Sequence, residues 1–275
     1  MKQIIQEVND LEHVFYLVIE GRKIGFHLTK RLAKTFWVFL DRGVLVDFEI
    51  GPRRKRMKKS FVYQVAFFRQ IINLQPYRVY YNIDQLREDM KKVITHQKYY
   101  LFIDFEMTMP GYQSPTFIPE IIQAGYMLSK AKGETIIDEG YYVLPLIETT
   151  LSRRTQKFLN LDELNFYESA IHYDDFYQKL QAIIGEYHPK LVVWGKNDIS
   201  ALNDSYRLHQ KEPLTKLNDF IDLLKLHKDY FNLKDDLGLF KAYQAYYDVD
   251  EAQAHDARDD AHITKQVFDA FIEYI

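Results

Sequence analysis

The pattern of apolar residues changes near residue 99, and this change constrains the fold more than any other feature of the sequence. Before it, short β-prone runs follow one another with hardly any helical period. After it, apolar strands alternate with amphipathic helical stretches. We therefore predict a small β domain over 1–82, a helical linker over 83–98 and an α/β domain over 99–275. With 275 residues, 47% of them apolar, the chain is long enough to bury a substantial core.

The first domain is predicted from short strand-like runs that are separated by turn signals. The runs are Val14–Glu20, Ile24–Thr29, Thr35–Leu40, Val44–Ile50, Phe61–Leu74 and Arg78–Tyr81. Gly21-Arg22-Lys23 and Asp41-Arg42-Gly43 read as hairpin turns, and Gly51-Pro52 is expected to end a strand. Such a series of strands predicts a small barrel or rolled sheet, for example an OB-like barrel.

Charge is distributed unevenly along the chain. Residues 1–98 contain 19 Lys and Arg against 10 Asp and Glu, a net charge of +9, whereas residues 99–275 carry a net charge of −12. A single run supplies a third of the basic residues in the first part: Arg53, Arg54, Lys55, Arg56, Lys58 and Lys59. Such a run is often a solvated loop. Here it lies between aromatic strands, so it also fits a surface for single-stranded nucleic acid.

The second domain is predicted to contain a mixed sheet of five strands with helices. Tyr99–Phe105, Ile121–Ser129 and Thr135–Leu144 can form an antiparallel meander, which Leu191–Trp194 and Phe220–Leu224 extend. Helical stretches are expected between and after these strands: Ser152–Leu159, Asp174–Tyr187, Ile199–His209, Leu237–Tyr247 and a last one from Asp256.

Two carboxylates stand at the end of the first strand of this domain. Asp104 and Glu106 are two residues apart, so their side chains project from one face. Carboxylates that converge beside a buried strand are costly unless a cation lies between them. The chain has two more Asp-x-Glu triplets, Asp10-Leu11-Glu12 and Asp47-Phe48-Glu49. For the latter we expect an ion-paired surface, because it runs into the basic cluster.

The last helix supplies a third carboxylate and a histidine. If the helix begins near Asp256, Asp260 falls on the apolar stripe that also includes Thr264 and Phe271, so it should face the core. A buried aspartate needs a metal ion or a basic partner. His255 precedes the helix and can point to the same place, whereas Asp259 should be solvated.

A fourth carboxylate, Asp198, follows the strand that ends at Gly195. It lies at or just inside the start of a helix, where an aspartate is also an ordinary N-cap, and both interpretations remain open. With Asp104, Glu106 and Asp260 it would complete a set that can hold two Mg²⁺ or Mn²⁺ ions about 3.5–4 Å apart, as in phosphodiester cleavage. A neutral His255 could then take a proton from the attacking water.

Three segments of the chain resemble the exonuclease motifs of one known family. They are Phe102–Thr108 (Phe-Ile-Asp-Phe-Glu-Met-Thr), Trp194–Asp198 (Trp-Gly-Lys-Asn-Asp) and His255–Ala261 (His-Asp-Ala-Arg-Asp-Asp-Ala). They are similar, in this order, to motifs of the DnaQ-like or DEDDh 3′–5′ exonucleases of the RNase H-like superfamily. Together with Pro119–Ile122, the first motif most resembles the KapD-like and ERI-1-like branch. The resemblance covers Tyr99 to the C-terminus and implies an RNase H-like α/β fold.

The resemblance also implies roles for individual residues. Asp104, Glu106, Asp198 and Asp260 would hold the metal ions, and His255 would be the general base. Met107 and Thr108 would border the terminal nucleotide. The chain departs from the family at Gln123, where members often carry Glu.

The sequence thus predicts a metal-dependent 3′–5′ exonuclease acting on single-stranded RNA or DNA, with the basic run binding the substrate. Two alternatives remain: a nucleic-acid-binding or regulatory protein without turnover, and a two-metal phosphoesterase for small molecules. The chain has no cysteine, which excludes disulfides, thiolate nucleophiles and cysteine-bound zinc. The polar, acidic N-terminus and the absence of long apolar runs predict a soluble, cytoplasmic protein without a membrane segment.

Overall fold

A computed structural model describes residues 1–57, 60–110, 117–130, 133–147, 150–249 and 255–275. The chain divides into two compact units, Met1–Asp89 and Met90–Ile275. The division falls within helix α2 (Ile83–Thr95), and the domain bounds expected from the sequence, with a linker over 83–98, stay a prediction. Each unit is described separately.

The first unit is built on one sheet of seven strands. These are β1 (Lys2–Ile4), β2 (Glu7–Asn9), β3 (Val14–Ile19), β4 (Arg22–His27), β5 (Val44–Met57), β6 (Ser60–Leu74) and β7 (Tyr77–Asn82). Their order is β1-β5-β6-β4-β3-β2, with β7 also paired to β6. Among the strand pairs of the described residues, β4–β6 alone is parallel. Buried rings of Phe15, Phe26, Phe48 and Phe68 contact one another in its core. The small, mostly-β domain is confirmed, and an OB-like barrel stays a prediction.

The strand predicted over Thr35–Leu40 is wrong. The structure has a helix there, α1 (Lys30–Phe36), followed by a 3₁₀ turn at Trp37–Phe39. Thr29 caps the helix, because its side chain accepts a hydrogen bond from the backbone N–H of Leu32. The aromatic residues that suggested a strand pack against the core of this unit from the end of the helix and the turn.

The expected strand end at Gly51-Pro52 is also wrong. Strand β5 continues to Met57, and its pairing with β6 shifts register between Ile50 and Arg54. A bulge of this kind accommodates proline, which has no N–H to donate to the ladder. Arg53–Arg56 therefore lie on a strand and not in a loop, while Lys58 and Lys59 fall outside the described residues.

The second unit contains the predicted mixed sheet of five strands. These are β8 (Tyr100–Met107), β9 (Ile121–Ser129), β10 (Thr135–Tyr142), β11 (Lys190–Val193) and β12 (Phe220–Asp222), in the order β10-β9-β8-β11-β12. The meander β8–β9–β10 is antiparallel, and β11 pairs in parallel with both β8 and β12. Parallel strands at the centre of a sheet need helical crossovers, which this unit supplies.

Helices cover both faces of this sheet. They are α3 (Arg153–Phe158), α4 (Glu163–Ser169), α5 (Tyr173–Tyr187), α6 (Asn197–Leu208), α7 (Leu223–Phe231), α8 (Leu239–Tyr247) and α9 (Ala257–Tyr274). Five of these helices are predicted from the sequence pattern, whereas α4 and α7 are not. None of the helices in the described segments is both long and apolar enough to cross a membrane.

The first half of strand β8, residues 100–103, is apolar because both of its faces are buried. Leu101, Ile103 and Phe105 belong to the core shared with α5 and α6. Tyr100 and Phe102 belong to the opposite core, which includes residues of α8 and α9. By alternation, the next two side chains on this second face are those of Asp104 and Glu106. The strand therefore directs both carboxylates towards the side of the sheet that α9 covers.

Candidate active site

Helix α9 begins close to the strand next to Asp104. The partner of Asp104 on β9 is Gly125. A Cβ atom at this glycine would lie only 2.2 Å from the backbone of Ala257 and Arg258, so a larger residue would displace the helix. The glycine thus brings the first turn of α9, with its acidic residues, against the carboxylate end of β8.

Asp198 is tied to the same strand. Gly195 turns the chain between β11 and α6 with φ of +101°, a conformation that favours glycine. The N-cap of α6 is Lys196, and no side chain caps it. Instead, Asp198 Oδ1 accepts a hydrogen bond of 3.1 Å from the backbone N–H of Phe105, and the side chain is only 6% exposed. Asp198 is therefore not an ordinary N-cap but lies beside Asp104 and Glu106.

The start of α9 completes the cluster. Asp256 is the N-cap and accepts hydrogen bonds from the N–H groups of Arg258 and Asp259. Asp260 is 5% exposed, as its place on the apolar stripe predicts. One oxygen each of Glu106 and Asp260 and one ring nitrogen of His255 lie within 4.8 Å of one another. Residues 106, 255 and 260 thus meet at one point.

The protonation of these carboxylates reflects their burial and proximity. Burial, and then the charges of Asp198, Asp260 and Glu106, raise the pKa of Asp104 well above its usual range. Burial raises the pKa of Glu106 to about 7, with smaller contributions first from Asp260 and then from Asp198. Burial also raises the pKa of Asp198 to about 7, against the effect of the Phe105 N–H. The cluster therefore disfavours full ionisation in the absence of cations.

The donor set fits hard divalent cations. Carboxylate oxygens with one imidazole nitrogen are ligands suited to Mg²⁺ and Mn²⁺. Within the described segments, the charged side chains that act on the pKa of Asp104 and Glu106 are those of Asp198, Asp260, Asp256 and, for Asp104, Glu106, all of them carboxylates. Cations bound between them would remove the repulsion and allow all of them to ionise.

The other two Asp-x-Glu triplets have ordinary structural partners. Asp47 forms an ion pair with the N-terminal amine, and Glu49 pairs with the guanidinium of Arg69. Asp10 accepts a hydrogen bond of 2.9 Å from the indole of Trp37. The expected ion-paired surface at Asp47-Phe48-Glu49 is therefore what the structure contains.

Residues missed by the sequence analysis hold the start of α9 in place. Gln123 on β9 donates a hydrogen bond of 2.6 Å to Asp256, and its Oε1 accepts one from the Ala257 N–H. Arg258 forms two hydrogen bonds, of 2.8 and 3.0 Å, with Asp138 on β10. Of these residues, only Gln123 could be singled out from the sequence, because members of the family that the chain resembles often have Glu at this position.

An aromatic ring also contacts His255. The ring of Phe158, at the end of α3, lies 4.6 Å from the His255 ring between centroids, at an angle of 33°. Helix α3 is itself fixed to the segment after β8, because Ser152 Oγ donates to the Met109 carbonyl and Thr155 Oγ1 accepts from the Met109 N–H. No local pattern could reveal this contact, since Phe158 is almost 100 residues from His255.

The segment after Glu106 is held by backbone hydrogen bonds. Met107 is half-buried, whereas Thr108 is buried and exchanges two hydrogen bonds with Glu120, one through each backbone N–H. The Glu120 carboxylate in turn accepts hydrogen bonds from the N–H groups of Leu146 and Ile147. Met107 and Thr108 are therefore positioned next to Glu106, while Arg53, Arg54, Lys55 and Arg56 belong to the first unit.

Comparisons with known proteins agree with this geometry. The sequence model of the exonuclease family (RNase_T) matches residues 101–268. "Probable 3′-5′ exonuclease KapD" of Bacillus subtilis strain 168 is 31% identical over 170 residues, which cover 61% of this chain and 82% of that protein.

Solved structures show the same fold in the second unit. The nuclease domain of 3′hExo, a DEDDh family member bound to rAMP, is 18% identical, and its match covers 66% of this chain and 94% of that domain with a TM-score of 0.58. Cell-death related nuclease 4 (CRN-4) is 19% identical over 65% of this chain and 64% of its own, with a TM-score of 0.54. The chain therefore belongs to the exonuclease family, among the 3′–5′ exonucleases.

Proposed function

We propose that this exonuclease removes nucleotides from the 3′ end of single-stranded RNA or DNA with two divalent metal ions and His255 as general base. The observation that carries this proposal is that ligand atoms of Glu106, His255 and Asp260 lie within 4.8 Å of one another, next to half-buried Asp104 and buried Asp198. A cluster of four carboxylates and one imidazole provides both the ligands and the base that such a reaction requires.

Asp104, Glu106, Asp198 and Asp260 would hold the two Mg²⁺ or Mn²⁺ ions. When bound, such ions lower the pKa of a coordinated water and neutralise charge on the phosphodiester. The raised pKa values of Asp104, Glu106 and Asp198 support this assignment, because the cluster is most stable when positive charge lies among its members.

His255 would accept the proton of the attacking water. One of its ring nitrogens lies within 4.8 Å of oxygens of Glu106 and Asp260, and its ring contacts that of Phe158, so these neighbours restrict the orientation of the imidazole. The hydrogen bonds between Gln123 and the first residues of α9 fix the backbone that follows it. A base held in this way is ready to act without reorganisation.

Met107 and Thr108 would border the terminal nucleotide, because they follow Glu106 and are fixed through Glu120. The basic residues of the first unit would attract the rest of the strand: Arg53, Arg54, Lys55, Arg56, Lys58 and Lys59. This recruitment would offset the repulsion between a polyanion and the acidic residues 99–275. The first unit would then bind single-stranded nucleic acid, as OB-like barrels do.

The proposal is tested with purified protein, Mn²⁺ and labelled single-stranded RNA and DNA. His255→Ala should slow cleavage by about 10²–10⁴-fold, the usual contribution of a general base. Asp260→Asn should also abolish most activity, whereas Asp259→Asn should not, because Asp259 is the adjacent but exposed acid of the same helix. Binding without cleavage in the presence of metal would instead indicate a regulatory protein without turnover.

A further inference from the structure

The end of the β5–β6 hairpin presents a basic and aromatic face. In the antiparallel pairing of β5 with β6, Arg54 lies opposite Tyr63 and Arg56 lies opposite Phe61. Residues directly opposite each other in an antiparallel pair project to the same side. The four side chains therefore share one face, which we call the hairpin face.

The basic run is divided between the two sides of the hairpin. Lys55 lies opposite the buried Val62 and projects to the other side, where its ammonium is 3.9 Å from Glu12. In the part of the chain that the structure describes, no carboxylate forms an ion pair with Arg54 or Arg56. The two guanidinium groups on the hairpin face thus keep their charge available for an anionic partner.

The aromatic residues of this face emerge gradually from the core. Along β6, Val65 is fully buried, Tyr63 is 37% exposed and Phe61 is 57% exposed. The Arg54 guanidinium lies over the Phe61 ring, 5.4 Å from its centroid. Exposure of a large apolar ring to water is unfavourable, and a base stacked on the ring would bury part of that surface.

We propose that the hairpin face binds single-stranded nucleic acid, with bases stacked on Phe61 and Tyr63 and phosphates bound by Arg54 and Arg56. The inference rests on the proposed function, whose substrate is such a strand, and it names the residues of the first unit that bind this strand. Rings and unpaired guanidinium groups side by side match the bases and phosphates of one strand.

The spacing of the rings favours a single strand over a duplex. Residues two apart on a strand are separated by about 6.8 Å, twice the 3.4 Å rise per nucleotide of duplex DNA. Two neighbouring bases can reach both rings only if they leave their mutual stack. A duplex or an acidic peptide could still bind the guanidinium groups, but it would make no use of the rings.

The test measures binding by the full-length protein in EDTA, which prevents cleavage. The probes are labelled oligo-dT and oligo-U of about 12 nucleotides, within the range that one small barrel can hold. Phe61→Ala should weaken binding of both by at least about fivefold, the lower limit for loss of one stacked base. Tyr77→Ala is the matched control, because Tyr77 is an exposed ring of the same unit on β7.

A second pair of variants tests the phosphate contacts. Arg56→Ala should reduce the slope of log K against log salt by about 0.7, the value for one phosphate of a single strand. Arg42→Ala removes an exposed arginine of the same unit from a turn outside the hairpin, and it should leave this slope unchanged. Circular dichroism melting curves check that all variants are folded.

Two results would overturn the inference. One is equal affinity of the Phe61→Ala and Tyr77→Ala proteins, which would mean that the rings take no part. The other is equal binding of a blunt duplex and a single strand to the wild type. Neither result would affect the proposed function, because cleavage in Mn²⁺ and its loss in His255→Ala are measured separately.

Discussion

Replacing Glu106 by glutamine should stabilise the metal-free protein while it abolishes activity. In the folded chain the pKa of Glu106 is raised from 4.5 to about 7, mainly by burial and then by Asp260. The folded state therefore retains a proton that the unfolded state has lost between pH 4.5 and 7. The stability linked to this carboxyl group is fully present below pH 4.5 and is lost as the pH rises through 7.

The size of this change in the free energy of unfolding follows from the shift in the pKa of Glu106. A pKa difference of about 2.5 corresponds to about 3 kcal/mol at pH 8, but to less than about 1 kcal/mol at pH 5. Glutamine has nearly the shape of the protonated acid and cannot ionise. Glu106→Gln should thus raise the free energy of unfolding by about 3 kcal/mol at pH 8, or the melting temperature by about 6–12 °C for a unit of this size.

The assay is urea unfolding in EDTA at pH 8 and pH 5, followed by tryptophan fluorescence. The chain has two tryptophans, Trp37 in the first unit and Trp194 in the second. A Trp37→Phe background makes Trp194 the reporter of the unit that contains the site. Glu168→Gln, an exposed carboxylate of α4, serves as the control and should change stability by no more than a few tenths of a kcal/mol.

At pH 8, Mn²⁺ should make the wild type more stable than Glu106→Gln. The ion binds the folded wild type and stabilises it, whereas the variant lacks one of the carboxylate ligands. A Glu106→Gln protein that is less stable than the wild type at pH 8 in EDTA would show that ionisation of Glu106 does not destabilise the metal-free folded state. Equal differences at pH 5 and pH 8 would show that the gain in stability does not come from ionisation.

Three further variants test how the site is supported. Gln123→Ala removes the hydrogen bonds to Asp256 and to the Ala257 N–H, so melting curves should show a loss of about 1–3 kcal/mol, and kcat on labelled oligonucleotides should fall by about 10²-fold. Unchanged kcat would show that the start of α9 does not need this support. Gly125→Ala places a Cβ 2.2 Å from the α9 backbone and should cost 3 kcal/mol or more, roughly the upper range for overpacking, in urea titrations. Gly185 lies on α5 with open space around the position of a Cβ atom, so Gly185→Ala should instead stabilise the protein by about 0.5–1 kcal/mol. A loss of stability in this variant would contradict the described packing.

The catalytic unit could be predicted largely from the sequence because its signals are local. Strand β9 has the predicted bounds, and β8, α5 and α9 begin within a residue or so of their predicted starts. The alternation of residues along β8 and the apolar stripe of α9 were enough to predict that Asp104, Glu106 and Asp260 lie on the same side of the sheet. Asp198 could not be decided in this way, because its role depends on a hydrogen bond to a strand 93 residues away.

The first unit shows where local patterns fail. A run of aromatic residues after Thr35 has high strand propensity, yet the Thr29 cap and the helix-forming residues that follow it determine the outcome. At Pro52, a bulge in the pairing with β6 allows the strand to continue. The outcome at Pro52 depends on a tertiary contact, as does the support of the site by Gln123 and Phe158.

Metal-dependent 3′–5′ cleavage is measured by a time course of degradation on matched 3′-labelled and 5′-labelled single strands, with and without metal. With Mn²⁺, the 3′ label should appear at once as a mononucleotide, while the 5′-labelled strand should shorten through a ladder of single-nucleotide steps. EDTA or the His255→Ala change should leave both strands intact. Internal fragments, release of the 5′ label first, or cleavage in EDTA would contradict the account.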